Sequence, residues 1–305
     1  MTDSLSMTVP DMGHPVRVRL RWARQSAAWG FLAPYLLLFG LFWLYPITDA
    51  LWLMLHDTRQ QPALWAPLTN LSRLWSDPML WTALRNTLLI ILLQVPLMLL
   101  LATALAVALA SPNLRWRALH RFALFVPVVV GEVAYAALFR LLFNDQFGAV
   151  NQGLSSLGIG PVEWLNSPHG ATAVIAIALT WRWTGYNAIL LLAGVQQIPA
   201  DLYEAARLDG ASRWQQFWFI TLPRLKNVLL FCMVLSLIGT LQLYTEPALI
   251  TSGGPGDATL TLSLYMYRQG FRMFDFGYSA MVAWLIVLLA VVGAVIQFKL
   301  VGRED

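Results

Sequence analysis

Six apolar stretches along a chain of 305 residues decide what it can fold into. They run Trp29–Met54, Asn86–Ala110, Leu119–Phe143, Ala171–Val195, Leu225–Ile250 and Tyr278–Leu300. Each reaches the roughly 20 residues that carry an α-helix across the hydrocarbon core of a bilayer. Lipid offers no water to satisfy a free backbone amide, so a span must be a helix or part of a closed barrel, and continuous apolar runs of this length read as helix. Composition agrees. The chain is 58% hydrophobic and only 12% charged, against about 25% charged residues in soluble domains. The expected fold class is therefore an all-α integral membrane protein with six transmembrane helices. Pro46, Pro96 and Pro127 fall inside spans and predict bent helices. The gaps carry turn signals, among them Ser111-Pro112-Asn113, Gly158-Ile159-Gly160-Pro161 and Ser252-Gly253-Gly254-Pro255-Gly256.

The residue inventory excludes several classes of chemistry. A single cysteine, Cys232, allows no intrachain disulfide, four-cysteine zinc site or iron–sulfur cluster. His14, His56, His120 and His169 are scattered without an i, i+4 pair, so no metal site is expected. The spans hold no paired aspartates, Ser–Lys dyad or His–Glu metal set, so no catalytic residue is assigned. No G-x-x-x-x-G-K-[ST] phosphate loop is present, and the lysines are Lys226 and Lys299 alone. The formal charge of +4 reflects loop arginines rather than a nucleic-acid surface. The first apolar run is too long for a signal-peptide core and no A-x-A site follows it, so it reads as a retained first span.

Orientation follows from the placement of Lys and Arg, which collect in cytoplasmic loops. Arg17, Arg19, Arg21, Arg24, Arg115, Arg117, Arg121, Arg207, Arg213, Arg224, Lys226, Lys299 and Arg303 fall on one side; Arg59, Arg73, Arg85, Arg140, Arg268 and Arg272 fall on the other. Both termini are expected in the cytoplasm. The chain divides into a cytoplasmic segment 1–28, a six-span domain 29–300 containing a cytoplasmic loop 196–223, and a cytoplasmic tail 301–305.

That loop is unlike the others. Asp201 followed by Glu204 has the spacing of a capping box, and Ala205, Ala206, Arg207 and Leu208 are good helix formers. Gly210 stands where a helix would stop, because glycine adopts the left-handed conformation without steric cost. A second amphipathic stretch, Trp214 to Ile220, runs up to Pro223. The expected form is a helix-turn-helix at the inner membrane face.

The pattern E-A-A, three residues, G, nine residues, I-x-L-P is met by Glu204-Ala205-Ala206, Gly210, Ile220, Leu222 and Pro223. It resembles the EAA loop of permease subunits of binding-protein-dependent ABC importers. A plain surface hairpin is the alternative. Phe31-Leu32-Ala33-Pro34, Leu44-Tyr45-Pro46, the segment Leu249 to Pro255, Tyr265-Met266-Tyr267 and Phe274 to Tyr278 resemble the carbohydrate branch, the maltose, glycerol-phosphate and oligosaccharide permeases. The chain lacks the extra N-terminal spans and large periplasmic insertion of the maltose member.

The resemblance implies a subunit of the bacterial inner membrane that moves a sugar from an external binding protein into the cytoplasm by alternating access. It implies as partners a second homologous permease, two copies of a cytoplasmic ATPase and a periplasmic solute-binding protein. The chain itself would hold no cofactor, ATP and Mg being bound by the ATPases. Glu204 would be the polar contact of the docking helix, a role compatible with helix capping, and Gly210 the turn that aims it. A non-sugar solute with the same architecture is the alternative; an ion-coupled carrier would need no docking loop.

Two ionisable residues fall deep in the spans, where charge is costly and lines a bundle interior or a watery cavity. At about 1.5 Å per residue, Glu132 and Arg182 come out at similar depth and can meet. Arg182 lies beside Trp183, Tyr186 and Asn187, a polar and aromatic sector. Two readings stay open: an interhelical salt bridge amid packing aromatics, or a surface that contacts a sugar. Asp49 and Glu246 fall near the outer interface and receive no role.

Overall fold

The computed structural model describes residues 29–60, 62–111 and 114–301. The expected segment 1–28 with its arginines, the tail beyond Val301, and Pro112 and Asn113 of one expected turn lie outside the described residues. The chain divides into two compact units, residues 1–52 and 53–305.

Helix α1 spans Trp29–Met54, as the hydropathy predicts. It contains a π-turn, Gly40–Leu44, closed by the Tyr45 amide on the Gly40 carbonyl. Pro46 follows directly. A proline ring clashes with the carbonyl four residues back, and the widened π-turn relieves that crowding. A short ribbon comes next, β1 (His56–Asp57) antiparallel to β2 (Leu64–Trp65), with His56 opposite Trp65. Helix α2 covers Pro67–Ser76.

Helix α3 runs Pro78–Ala110, starting well before the expected Asn86. Its start is fixed by the Asp77 carboxylate, which accepts from the Met79 amide at 2.9 Å, with Pro78 in the first turn, where a missing N–H costs nothing. Asp77 also accepts from the hydroxyls of Tyr265 and Tyr278. Burial pushes this carboxyl upward, but the tyrosine and amide hydrogen bonds outweigh it and hold the group below its ordinary value.

The expected third span, Leu119–Phe143, is not one helix. It is α4 (Arg117–Val129) and α5 (Glu132–Leu142), bent by 95° at Val130–Gly131. Short helix α6 (Ala149–Ser156) lies in the following loop, whose returning segment is pinned by the Asp145 carboxylate on the amides of Trp164, Leu165 and Asn166. Helix α7 spans Pro168–Gln196. After the loop helix α8 (Ala200–Leu208), helix α9 spans Arg213–Leu241. The expected fifth span ended at Ile250. Here residues 242–250 leave the helix and fold back through a π-turn at Pro247–Thr251. Helix α10 (Leu262–Tyr267) and helix α11 (Phe276–Val301) complete the chain. Among the described residues, five unbroken helices are long and apolar enough to cross a bilayer, and the α4–α5 pair makes a sixth when taken as one broken span.

Small residues bring the central helices close, as expected where lipid tails remove the ordinary hydrophobic drive. Ala102 and Ala106 of α3 and Ala188 of α7 are fully buried in one cluster with Leu191 and Cys232. Gly185 of α7 goes further. A Cβ built there would lie 1.8 Å from the Leu124 carbonyl oxygen of α4. Gly185→Ala must therefore push α4 away, at a cost of at least about 1–3 kcal/mol, whereas Gly153→Ala in α6 meets no atom within 4 Å. The expected result in detergent is a lower melting temperature for the first variant and an unchanged or higher one for the second. Equal melting temperatures would refute the close approach.

Candidate functional site

A cavity of about 210 Å³ opens beside the break between α4 and α5. Breaking a helix at membrane depth frees backbone groups that something must satisfy. Arg182 of α7 supplies the donor: its Nη1 donates to the Val130 carbonyl at 3.2 Å. The guanidinium carbon sits 4.6 Å from the centre of the Tyr135 ring, a cation–π contact worth most where water is excluded. Its Nη2 lies 3.8 Å from Glu132 Oε1.

The two deep charges thus meet, but not as equals. Arg182 is 6% exposed at its side chain and Glu132 57%. Glu132 stands in the first turn of α5, where the helix dipole favours an anion. Its second oxygen accepts from the Thr245 hydroxyl at 3.0 Å. Arg182 is bound into the break, while Glu132 faces the cavity.

Trp183, Tyr186 and Asn187 also line the cavity, as does Glu132; Arg182 does not. The Trp183 and Tyr186 rings meet edge to face at 5.9 Å. Positions 183, 186 and 187 share a face because residues three and four apart are neighbours on a helix. Asn187 is held by its Nδ2 donating to the Trp183 carbonyl at 3.0 Å.

Other wall residues were passed over by sequence reasoning. Gln94 of α3, Thr240 of α9, and Gln242, Tyr244, Thr245 and Glu246 of the fold-back segment all line the cavity. Glu246, given no role at the sequence level, is buried and accepts from the Tyr135 hydroxyl. The available signals were a lone amide two residues before Pro96 and a polar run that interrupts the fifth apolar stretch just before Pro247.

The second feature is the loop. Helix α8 ends in a Schellman turn: the Ala211 amide donates to the Ala206 carbonyl at 2.8 Å and the Gly210 amide to the Arg207 carbonyl at 3.1 Å. Gly210 has φ +81, the left-handed conformation expected of it. The capping box expected at Asp201 and Glu204 does not form, because α8 starts after Pro199 without a side-chain cap. The box in this loop is Ser212 with Gln215, at the start of α9. Glu204 instead lies 3.8 Å from Arg207, both exposed. Ala205 is exposed, Ala206 half-buried, and Leu208 is 90% exposed.

The second loop helix does not end at Pro223. A π-turn, Phe217–Thr221, carries it directly into the rest of α9, with Ile220 and Leu222 half-buried and Pro223 exposed. The Pro223 ring is accommodated as Pro46 is in α1. The expected helix-turn-helix is thus a free helix, a glycine turn and the first turns of a long helix. The Tyr203 hydroxyl is 2.9 Å from the Thr221 hydroxyl and ties α8 to that π-turn.

Residues 29–303 match the family described as binding-protein-dependent transport system inner membrane component. The chain belongs to this family. It is 45% identical over 275 residues to the lactose transport system permease protein LacF of Rhizobium radiobacter, covering 88% of this chain and 92% of the relative. It is 33% identical over 291 residues to the arabinooligosaccharides transport system permease protein AraP of Bacillus subtilis (strain 168), covering 93% and 91%. In fold it is similar to a chain of a bacterial ABC transporter involved in the import of the acidic polysaccharide alginate, with TM-score 0.83 at 23% identity, covering 95% of this chain and 99% of that one. The protein is a multi-pass inner-membrane permease.

Two outcomes follow for the permease. Arg182→Gln strips the buried Val130 carbonyl and the Tyr135 ring of their partner, a loss of about 1–3 kcal/mol for the unsatisfied acceptor. Glu132→Gln removes only a loose, exposed contact, worth at most about 1 kcal/mol. Yield of monodisperse protein should fall for the arginine variant, hold for the glutamate variant, and stay low in the double variant. Recovery in the double variant would instead make the ion pair the main role of Arg182. Second, Gly239 of α9 lines the cavity, and a Cβ there meets nothing within 4 Å. Gly239→Leu should fill the cavity and cut uptake at least about tenfold with normal yield, since no packed group is displaced. Unchanged uptake would place the solute path elsewhere.

Proposed function

We propose that this permease moves a sugar or oligosaccharide inward across the bacterial inner membrane, driven by ATP hydrolysed on partner subunits. The chain binds no nucleotide itself. Two ATPase copies hold ATP and Mg, a second homologous permease completes the pathway, and a binding protein delivers the solute from outside. Both termini face the cytoplasm. The curated relatives named for lactose and arabinooligosaccharides support the carbohydrate class.

One observation carries the mechanism. The exposed helix α8 is tied through Tyr203 and Thr221 to the base of α9, and the far end of the same helix places Ser236, Gly239 and Thr240 in the cavity wall. A helix is stiff along its axis, so displacement of the loop by a docked ATPase reaches the cavity through about 20 residues, or roughly 30 Å, of continuous helix. Glu204, Ala205 and Ala206 form the docking surface. Gly210 aims it, and Ile220, Leu222 and Pro223 belong to the joint.

The test is ATP hydrolysis by the purified complex in nanodiscs, with binding protein and a panel of sugars. A stimulating sugar is expected, and stimulation by amino acids alone would refute the carbohydrate class. Gly210→Pro should abolish stimulation, because proline cannot take φ near +81. Glu204→Ala should reduce it, with the chain still inserted. Normal stimulation in both variants would remove the docking assignment. Orientation is tested separately by impermeant thiol labelling of single cysteines in a Cys232→Ser background. A cysteine at Ser155 should label from outside intact cells and one at Ser212 should not. Equal labelling would overturn the topology.

A further inference from the structure

The walls of the cavity have an uneven charge inventory. This chain contributes two carboxylates, Glu132 and Glu246, and among the described residues no lysine, arginine or histidine lines the space. The two carboxylates differ. Glu246 is 6% exposed and occupied by the Tyr135 hydroxyl. Glu132 is 57% exposed, with one oxygen on Thr245 and the other at 3.8 Å from Arg182. Arg182 offsets part of this charge from 3.8 Å away, but it is held behind the wall against Val130 and Tyr135 and does not itself line the cavity. The charged group a solute reaches at the wall is therefore the Glu132 carboxylate, which repels a second anion brought beside it.

A second observation concerns the hydroxyl groups that any sugar carries. Gln94 is 2% exposed in the cavity wall, and its amide oxygen has no hydrogen-bond partner. A buried acceptor left empty is costly, so its natural partner is a donor. A sugar hydroxyl donates. A carboxylate, sulfonate or fully ionised phosphate group accepts only. Trp183, Tyr186 and Tyr244 add aromatic surface to the same wall, which suits sugar C–H groups.

We infer that this permease selects uncharged over anionic carbohydrate within the membrane, with the Glu132 carboxylate as the specificity-determining group. The inference rests on the carbohydrate reading above, and concerns a discrimination made by the permease itself, separate from that of the binding protein. An anionic substituent beside Glu132 is repelled, a hydroxyl is accepted, and an ammonium substituent is tolerated or favoured.

The experiment uses the complete complex in nanodiscs without binding protein, so that the membrane subunits alone are read. Saturation-transfer NMR measures binding of three probes with one skeleton: lactose, lactose 6-phosphate and 6-amino-6-deoxylactose. In the wild type the phosphate should bind at least about tenfold more weakly than lactose, and the amine no more weakly. Glu132→Gln, which keeps shape and removes charge, should bring the phosphate within about threefold of lactose and remove any advantage of the amine. Raising salt on the wild type should narrow the same gap, a reading that needs no variant. Equal binding of lactose and its phosphate by the wild type would overturn the inference alone, as would a phosphate deficit unchanged both in Glu132→Gln and at high salt. Failure of all three probes, in a complex whose ATPase an unrelated solute stimulates, would overturn the carbohydrate reading and the inference with it.

Discussion

The contact between Arg182 and the Val130 carbonyl holds the rest of the site in place. Helix α4 stops and α5 departs at 95°, and this is what opens a cavity beside α7 and α9. A break of that kind at membrane depth exposes backbone groups to a medium that cannot hydrate them, at several kcal/mol each if left unpaired. One guanidinium answers the carbonyl, covers the Tyr135 ring and faces the Glu132 carboxylate at once. The planar fork of arginine suits this division of labour, since a lysine ammonium has neither the reach nor the stacking face. Gly185, one helical turn along, lets α4 approach closely enough for the contact to exist.

What the sequence shows of this arrangement depends on the range of the interaction. The ends of α1 and α11 were legible because hydropathy is summed over neighbours. The glycine turn after α8 was legible because a Schellman motif is closed within six residues. The break in the third span was not. Pro127 suggested a bend, yet the Val130 amide still bonds to Val126 and the chain turns only at Val130–Gly131. Its stabilising donor comes from 52 residues further on. Equal depth brought Glu132 and Arg182 together on paper, but depth says nothing about which carbonyl an arginine will choose.

The fifth span failed for a related reason. Leu225–Ile250 is apolar enough to continue as helix, and Glu246 within it was expected near the outer interface without a role. In the fold those residues turn back and become wall: Thr245 meets Glu132, Glu246 meets Tyr135, and the Thr261 hydroxyl donates to the Leu243 carbonyl at 2.6 Å. Hydropathy averages the segment and misses that Thr245, Glu246 and the Leu243 carbonyl have partners on α5 and near α10. The loop shows the opposite case. Glu204, Gly210 and Pro223 could be placed by pattern alone, while the Tyr203–Thr221 contact that makes the loop mechanically continuous with α9 involves no conspicuous residue.

Two prolines, one in α1 and one in α9, stand where the helix has already widened. Pro46 and Pro223 each follow a π-turn, Gly40–Leu44 and Phe217–Thr221. A π-turn lengthens the hydrogen-bond ring to i→i+5 and is commoner at functional positions than along inert helix. In α9 it falls where the free loop ends and the long helix begins, with Thr221 buried and bonded to Tyr203. The wider turn would then be the point at which α9 yields, with regular helix beyond it. A force applied at α8 has two routes: it can be absorbed by the π-turn, or passed on as axial displacement of Leu222–Leu241. The Tyr203 hydroxyl bridges the compliant turn and so favours the second route. In the proposed coupling, this bridge, more than the exposed glutamate, would connect a loop at one end of the helix with a cavity at the other.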